Sequence, residues 1–175
     1  MSDVYIRRAT AADFAAIARI YAEAVWVGTA TFEVEAPDEA EMARRLHALI
    51  AGNYPYLVAE RSAVVAGYAY AGPYHLRPAY AWTVEDSIYL DPRFQRQGIG
   101  RLLMRQLLSD AEAGGFRQMI ALIGDGKNTA SISLHASAGF RAAGTLQSFK
   151  HGRWLDVVVM QRPLGSANSS APERA

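Results

Sequence analysis

Cysteine is absent from the 175-residue sequence. Disulfides, a thiol nucleophile and Cys-ligated zinc or iron–sulfur centres are therefore excluded, and a reducing cytoplasm is a compatible setting. Net charge is nearly absent too, with 18 Lys and Arg against 17 Asp and Glu. A general nucleic-acid or membrane-surface binder normally shows a basic excess or a clustered patch, so neither partner is expected. No apolar run approaches the roughly 18 to 20 residues of a spanning helix, and Met1 to Arg8 lacks the apolar core of a signal peptide. The reading is a cytoplasmic protein. Four scattered histidines without a paired ligand spacing imply no metal site. What the chain does have is apolar side chain, 51% of residues against 20% charged, enough for one ordinary domain with a buried core.

That domain is expected to span residues 1–164. Gly165 to Ala175 is small and polar, has nothing to bury, and reads as a flexible tail. Val4 to Arg8 reads as a strand, and Thr10 with Asp13 suits a helix start, after which Phe14, Ile17, Tyr21 and Ala24 recur at helical spacing. A second helix is expected from Pro37, with Met42, Leu46, Leu49 and Ile50 as its stripe and Gly52 as its stop. Tyr56 to Glu60 and Val64 to Tyr70 read as strands joined by a tight turn. Asn128 to Ala138 reads as a late helix, and Phe149 to Met160 as a closing hairpin around His151-Gly152. Strands and helices alternate only in part. The fold class is thus α+β, a mixed, mostly antiparallel sheet with helices on both faces.

The middle third carries the chemistry. Trp82, Val84, Ile88 and Leu90 alternate with Thr83, Glu85, Ser87 and Tyr89, the period of a strand with one apolar and one polar face. Asp86 breaks the pattern, which implies a bulge or an inward site. Pro92 ends the strand, and Gln95, Gly98 and Gly100 then precede a helix marked by Ile99, Leu102, Leu103, Leu107 and Ala111. Unpaired N–H groups and the positive end of such a helix favour an anion. A dinucleotide fingerprint would need glycine at Leu103, and a nucleotide P-loop would need Gly-Lys-Ser/Thr; an ordinary glycine turn stays open as the simplest alternative.

The loop's pattern, Gln95-x-x-Gly98-x-Gly100, resembles the pyrophosphate loop of the GNAT N-acetyltransferases, and the resemblance runs from Val4 to about Leu164. It is similar more narrowly to the phosphinothricin and methionine sulfone/sulfoximine acetyltransferase branch. The matching pieces include Arg7-Arg8-Ala9-Thr10, Thr31-Phe32, Gly67 to Ala71, Thr83-Val84-Glu85, Ser87-Ile88-Tyr89, Asn128-x-x-Ser131, Leu134-His135, Gly139-Phe140 and Lys150-x-Gly152-x-Trp154-x-Asp156.

The resemblance implies the GNAT fold, with splayed middle strands, and acetyl-CoA as co-substrate. Backbone of Ile88, Tyr89 and Leu90 would pair with the pantetheine arm. Gln95, Arg96, Gln97, Gly98, Ile99, Gly100 and Arg101 would hold the pyrophosphate, and Asn128 with Ser131 the amide end. Glu85 is implied as the general base that frees the acceptor amine of its proton. His135 stands on the helix face of Asn128 and Ser131, as general acid, substrate-orienting group or structural histidine. Thr31, Phe32, His75, Arg77 and Thr83 would meet the acceptor. His75 departs from the branch, which has an arginine there. The implied reaction is acetyl transfer to the α-amino group of a small amino-acid-like substrate by direct attack in a ternary complex, in a homodimer. A peptide N-acetyltransferase and a non-catalytic acetyl-CoA-binding module are the alternatives.

Overall fold

A computed structural model describes residues 4–172; positions 1–3 of the expected domain and 173–175 of the expected tail lie outside the described residues. Seven strands form one sheet: β1 (Val4–Arg8), β2 (Tyr56–Arg61), β3 (Val64–Pro73), β4 (Thr83–Leu90), β5 (Gln118–Gly124), β6 (Arg141–Lys150) and β7 (Arg153–Pro163). Their order is β1-β2-β3-β4-β5-β7-β6, and every neighbouring pair is antiparallel except β4 with β5. The helices are α1 (Phe14–Trp26), α2 (Glu39–Ala51), α3 (Ile99–Ala113) and α4 (Thr129–Ser137).

Both sheet faces are covered, so alternate strand residues enter two different cores. Ile17, Ile20, Tyr21 and Val25 of α1 and Met42 and Leu46 of α2 pack on Tyr56, Val58, Tyr68 and Tyr89. On the other face Ile99, Leu103, Met104, Leu107 and Ala111 of α3 meet Leu57, Ala69, Ala71, Val84 and Met119. Leu103 and Leu107 are fully buried, and truncating either to alanine removes about 2–5 kcal/mol of stability. Leu164 closes this core; beyond it the Arg117 guanidinium donates to Ser166, Ala167, Ser170 and Ala171.

Local chemistry sets the helix starts. The Asp13 carboxylate accepts from the Thr10 N–H at 2.8 Å and also holds Arg7 in a two-pronged pair. Asp38 caps α2 by accepting from the Glu41 N–H, so this helix begins two residues after Pro37 rather than at it. Ile50, expected in the α2 stripe, is exposed, because the stripe through Met42, Leu46 and Leu49 has turned past it. β6 runs for ten residues, well beyond the two read from sequence; nearly all of it is exposed, so no burial pattern marks it.

The middle of the sheet opens. β4 and β5 pair only from Thr83↔Gln118 to Asp86↔Ala121. Beyond that point Ser87–Leu90 stay with β3 and Leu122–Gly124 stay with β7. The two strands fork, as expected for splayed strands. The β3–β4 register is unbroken across Asp86, so no bulge forms and the charge points inward.

Candidate active site

A cavity of about 340 Å³ lies at the fork. β4 brings Glu85, Ile88 and Tyr89 to its wall, α4 brings Asn128, Ser131 and His135, and the chain between α1 and α2 brings Thr31 and Phe32. Tyr89 is 8% exposed, although its alternation with Ser87 and Glu85 suggested a polar face; α1 covers that face, and Tyr21 meets Tyr89 edge-on at 5.1 Å.

Glu85 is half-buried. Burial first, and the negative charge of Asp86 second, push its carboxyl up to about 7. A carboxyl that titrates there can accept a proton at neutral pH and release it again. His135 is buried with both ring nitrogens engaged: Nε2 lies 3.0 Å from Asp86 Oδ2, and Nδ1 lies 2.8 Å from the Ser131 carbonyl. Asn128 caps α4 by accepting from the Ser131 N–H at 3.2 Å.

The wall opposite β4 is a loop under several restraints. Tyr21 donates its hydroxyl to Glu33 Oε1 at 2.9 Å, which leaves the Thr31 hydroxyl to donate to the Tyr21 oxygen at 2.8 Å. Lys150, buried at the end of β6, donates to the carbonyls of Gly28 and Thr31. Gly124 must be glycine here, because a Cβ would overlap the Thr29 carbonyl oxygen.

The glycine loop forms the cavity's neighbour at the start of α3. Asp91, fully buried, accepts from Arg19 and from the backbone and guanidinium of Arg93, and these contacts hold its carboxyl well below the usual range. Arg96 and Gly98 both take positive φ, 59° and 81°, and turn the exposed chain into the helix. Arg101 N–H returns to Gly98 O at 3.1 Å, which leaves the N–H groups of Ile99 and Gly100 without a partner inside the helix. Unpaired N–H groups at a helix start favour an anion such as a diphosphate. Open space surrounds Gly98, and a Cβ on Gly100 would meet the side chains of Leu134 and Leu90 at ordinary contact distances of 3.4 and 3.6 Å.

Three acceptor-side candidates stand apart. Thr83 begins β4 outside the cavity lining, and His75 and Arg77 lie on the exposed β3–β4 connection, where the His75 ring is tilted against Tyr74 and Tyr80 at 4.4 and 5.0 Å. Among the described residues no cluster of three or more His, Asp or Glu could hold a metal, and no helix is long and apolar enough to cross a membrane.

The model of the acetyltransferase (GNAT) family matches residues 17–140. The chain belongs to that family. Within it, the GNAT protein is 49% identical over 163 residues to phosphinothricin N-acetyltransferase of Alcaligenes faecalis, covering 92% of this chain and 83% of that one. It is 38% identical over 161 residues to the L-methionine sulfoximine/L-methionine sulfone acetyltransferase of Salmonella typhimurium, with 91% and 94% covered. Among solved structures, a GNAT phosphinothricin acetyltransferase from Sinorhizobium meliloti in complex with acetyl-CoA superposes with a TM-score of 0.94 at 46% identity, covering 99% of this chain and 94% of that one.

Sequence reasoning missed three residues of this GNAT site. Asp86 was visible as a break in the strand pattern, but its partner lies 49 residues away. Asp91 had only an Asp-Pro dipeptide to mark it, and Lys150 only its place in a motif.

Proposed function

We propose that this GNAT acetyltransferase moves the acetyl group of acetyl-CoA to the α-amino group of a small amino-acid-like acceptor of the methionine sulfone, methionine sulfoximine or phosphinothricin kind. The observation that carries the reading is Glu85, a half-buried carboxyl titrating at about 7 on the wall of the cavity at the strand fork. The named activities of the similar enzymes from Alcaligenes faecalis and Salmonella typhimurium support the acceptor class.

The fork suits the co-substrate. Backbone of Ile88, Tyr89 and Leu90 lacks a β5 neighbour and is available to an extended amide-bearing arm. The segment Gln95–Arg101 takes the diphosphate, and Asn128 with Ser131 the amide end. Bound acetyl-CoA supplies an activated thioester. Glu85 takes one proton from the acceptor ammonium. As the C–N bond forms and the C–S bond breaks, the second proton lost by the nitrogen passes to the sulfur, and the His135 imidazolium, its two N–H groups held by Asp86 and Ser131, steadies the developing thiolate by its charge. Glu85 then releases its proton to solvent, so one proton leaves per turnover. The lining tyrosines are poor acids for a thiolate: burial raises Tyr21 to about 12 and lifts Tyr70 and Tyr89 as well. Thr31 and Phe32 shape the acceptor side, with His75, Arg77 and Thr83 reached from outside the cavity. With no cysteine to form an acyl-enzyme, attack proceeds directly with both substrates bound.

The protein pairs with a second copy in this reading. β6 is an edge strand, and the hairpin presents Leu146, Phe149 and Trp154, each more than half exposed. Dependence on acetyl-CoA supports a cytoplasmic setting. The test is CoA release by purified protein with methionine sulfone, methionine sulfoximine, phosphinothricin and short N-terminal peptides. Turnover of the amino-acid analogues with little on peptides is expected. Efficient acetylation of peptides alone would overturn the acceptor class and leave the family membership untouched.

A further inference from the structure

A charge on the inward face of a strand is costly unless it is paired. Asp86 occupies such a place between the apolar Val84 and Ile88, with its side chain 1% exposed. Its Oδ2 meets His135 Nε2, while Oδ1 has no partner among the described residues. The ring is fixed from the other side as well. Nδ1 faces the Ser131 backbone carbonyl, and a carbonyl only accepts, so Nδ1 carries a hydrogen. Two states remain: an imidazolium giving Nε2–H to a carboxylate, or a neutral ring receiving a proton from a carboxylic acid. The first is favoured. Burial works against the His135 charge, but the Asp86 hydrogen bond, its negative charge and the Ser131 carbonyl outweigh it, and the imidazole titrates above its ordinary value. Phe140, edge-on to the ring at 5.0 Å, holds its plane.

The position of the pair matters as much as its chemistry. Asp86 is the last β4 residue that pairs with β5, so it stands at the vertex of the fork, and both Asp86 and His135 reach the cavity. Glu85 is its chain neighbour on the opposite strand face. One buried carboxylate thus stands between His135 and the candidate base.

We propose that Asp86 is a positioning residue for acetyl transfer, holding His135 as a doubly hydrogen-bonded imidazolium on the cavity wall while its negative charge stands behind Glu85. This rests on the assignment of Glu85 as base and of the His135 charge to the leaving sulfur, and it explains how both are poised at once. A negative charge favours the protonated form of each neighbour, which keeps the imidazole charged and makes the base strong enough to take an amine proton. The other ionisable groups facing the cavity are Tyr70 on β3, Tyr89 on β4 and Tyr21 on α1, phenols raised by burial, and Glu33 on the loop before α2, paired with Arg45 at 2.5 Å; β5 contributes Ala121, Leu122, Ile123 and Gly124.

The test uses ligand-free protein labelled with ¹⁵N-histidine and ¹³C-carboxyl glutamate, titrated by NMR. In the wild type both His135 nitrogens should show the protonated signature at pH 7, and the Glu85 carboxyl should titrate near that pH. Asp86→Asn is isosteric, and its amide can donate to a bare Nε2, so the fold has a satisfied alternative. In that variant His135 should become neutral at pH 7, and the Glu85 midpoint should fall by about half a unit or more, with the acid limb of kcat/KM moving the same way. A wild-type His135 with one bare nitrogen at pH 7, or a Glu85 midpoint unmoved in Asp86→Asn, would overturn the proposal. Should the variant not fold, the wild-type ring signature decides alone. Failure of the underlying reading is seen separately, as full turnover by Glu85→Gln.

Discussion

Lys150 Nζ lies 2.9 Å from the carbonyl oxygen of Thr31, a bond that spans 119 residues of chain. It ties the closing hairpin to the acceptor-side wall, and a second bond to Gly28 O, together with His151 on the same oxygen, fixes the loop's entry. Burial disfavours the ammonium, so the two carbonyls are what make its place tolerable.

Lys150→Met keeps most of the stem volume and removes both donors. Leaving the buried Thr31 carbonyl unpaired, while His151 still meets Gly28, costs about 1–3 kcal/mol, and a melting curve should register a drop of several degrees. With Thr31 and Phe32 on the acceptor side, as proposed, KM for the acceptor should rise while acetyl-CoA affinity, measured by calorimetry, stays within about twofold. An acceptor KM equal to that of the wild type would show that the tether matters for stability alone.

Glu85 sets the pH dependence. Its carboxyl is raised to about 7, and a base must be ionised to work, so kcat/KM should climb through pH 7 and decline below it. Glu85→Gln keeps the shape without the basicity. Its rate at pH 7 should fall by about 10² or more and recover in part at high pH, where the acceptor amine arrives neutral. Stopped-assay rates from pH 6 to about 9.5 check both limbs.

Much of this was legible in the sequence because local chemistry decided it. The alternation of Trp82 to Leu90 gave β4, and Gly139, at φ 89°, ends α4 where its place after Ala138 suggested. What stayed hidden depends on partners distant in the chain. Nothing near Asp86 announces His135, and nothing near Lys150 announces Thr31. Tyr89 shares its phase with Glu85, yet the first is buried under α1 while the second is only half-buried; helix placement makes that distinction, and periodicity cannot. β6, with Ala142, Ala143 and Gly144 at its start, has no apolar face to read.

The glycine loop offers a cofactor test at Gly98, which open space surrounds. Gly98→Ala places a methyl where the anion would approach and asks alanine to hold φ 81°, at a cost of about 1–2 kcal/mol. Acetyl-CoA binding should weaken by about tenfold or more, while acceptor KM extrapolated to saturating acetyl-CoA stays the same. Unaltered calorimetric affinity in a folded variant would remove the loop from the cofactor site.

Arg77 carries the riskiest expectation, because the β3–β4 connection holds it outside the cavity. If its guanidinium grips the anionic or strongly polar end of the acceptor, the loop has to bring it to a ligand already bound, and the contact is absent until then. A charge-assisted hydrogen bond of that kind contributes roughly 1.5–3 kcal/mol, about one to two orders of magnitude in binding. Arg77→Ala should therefore raise KM for methionine sulfone or sulfoximine by that factor and leave acetyl-CoA binding unaltered. His75 grades the same test. Its ring lies tilted against Tyr74 and Tyr80 on an exposed loop, so His75→Arg adds a donor fork without burying a charge. It should lower KM for the same acceptors. Peptides have no free carboxylate beside the reacting amine and should respond to neither change. Equal KM values for the oxidised amino acids in wild type and Arg77→Ala would place their recognition within the cavity, on the wall formed by Thr31 and Phe32.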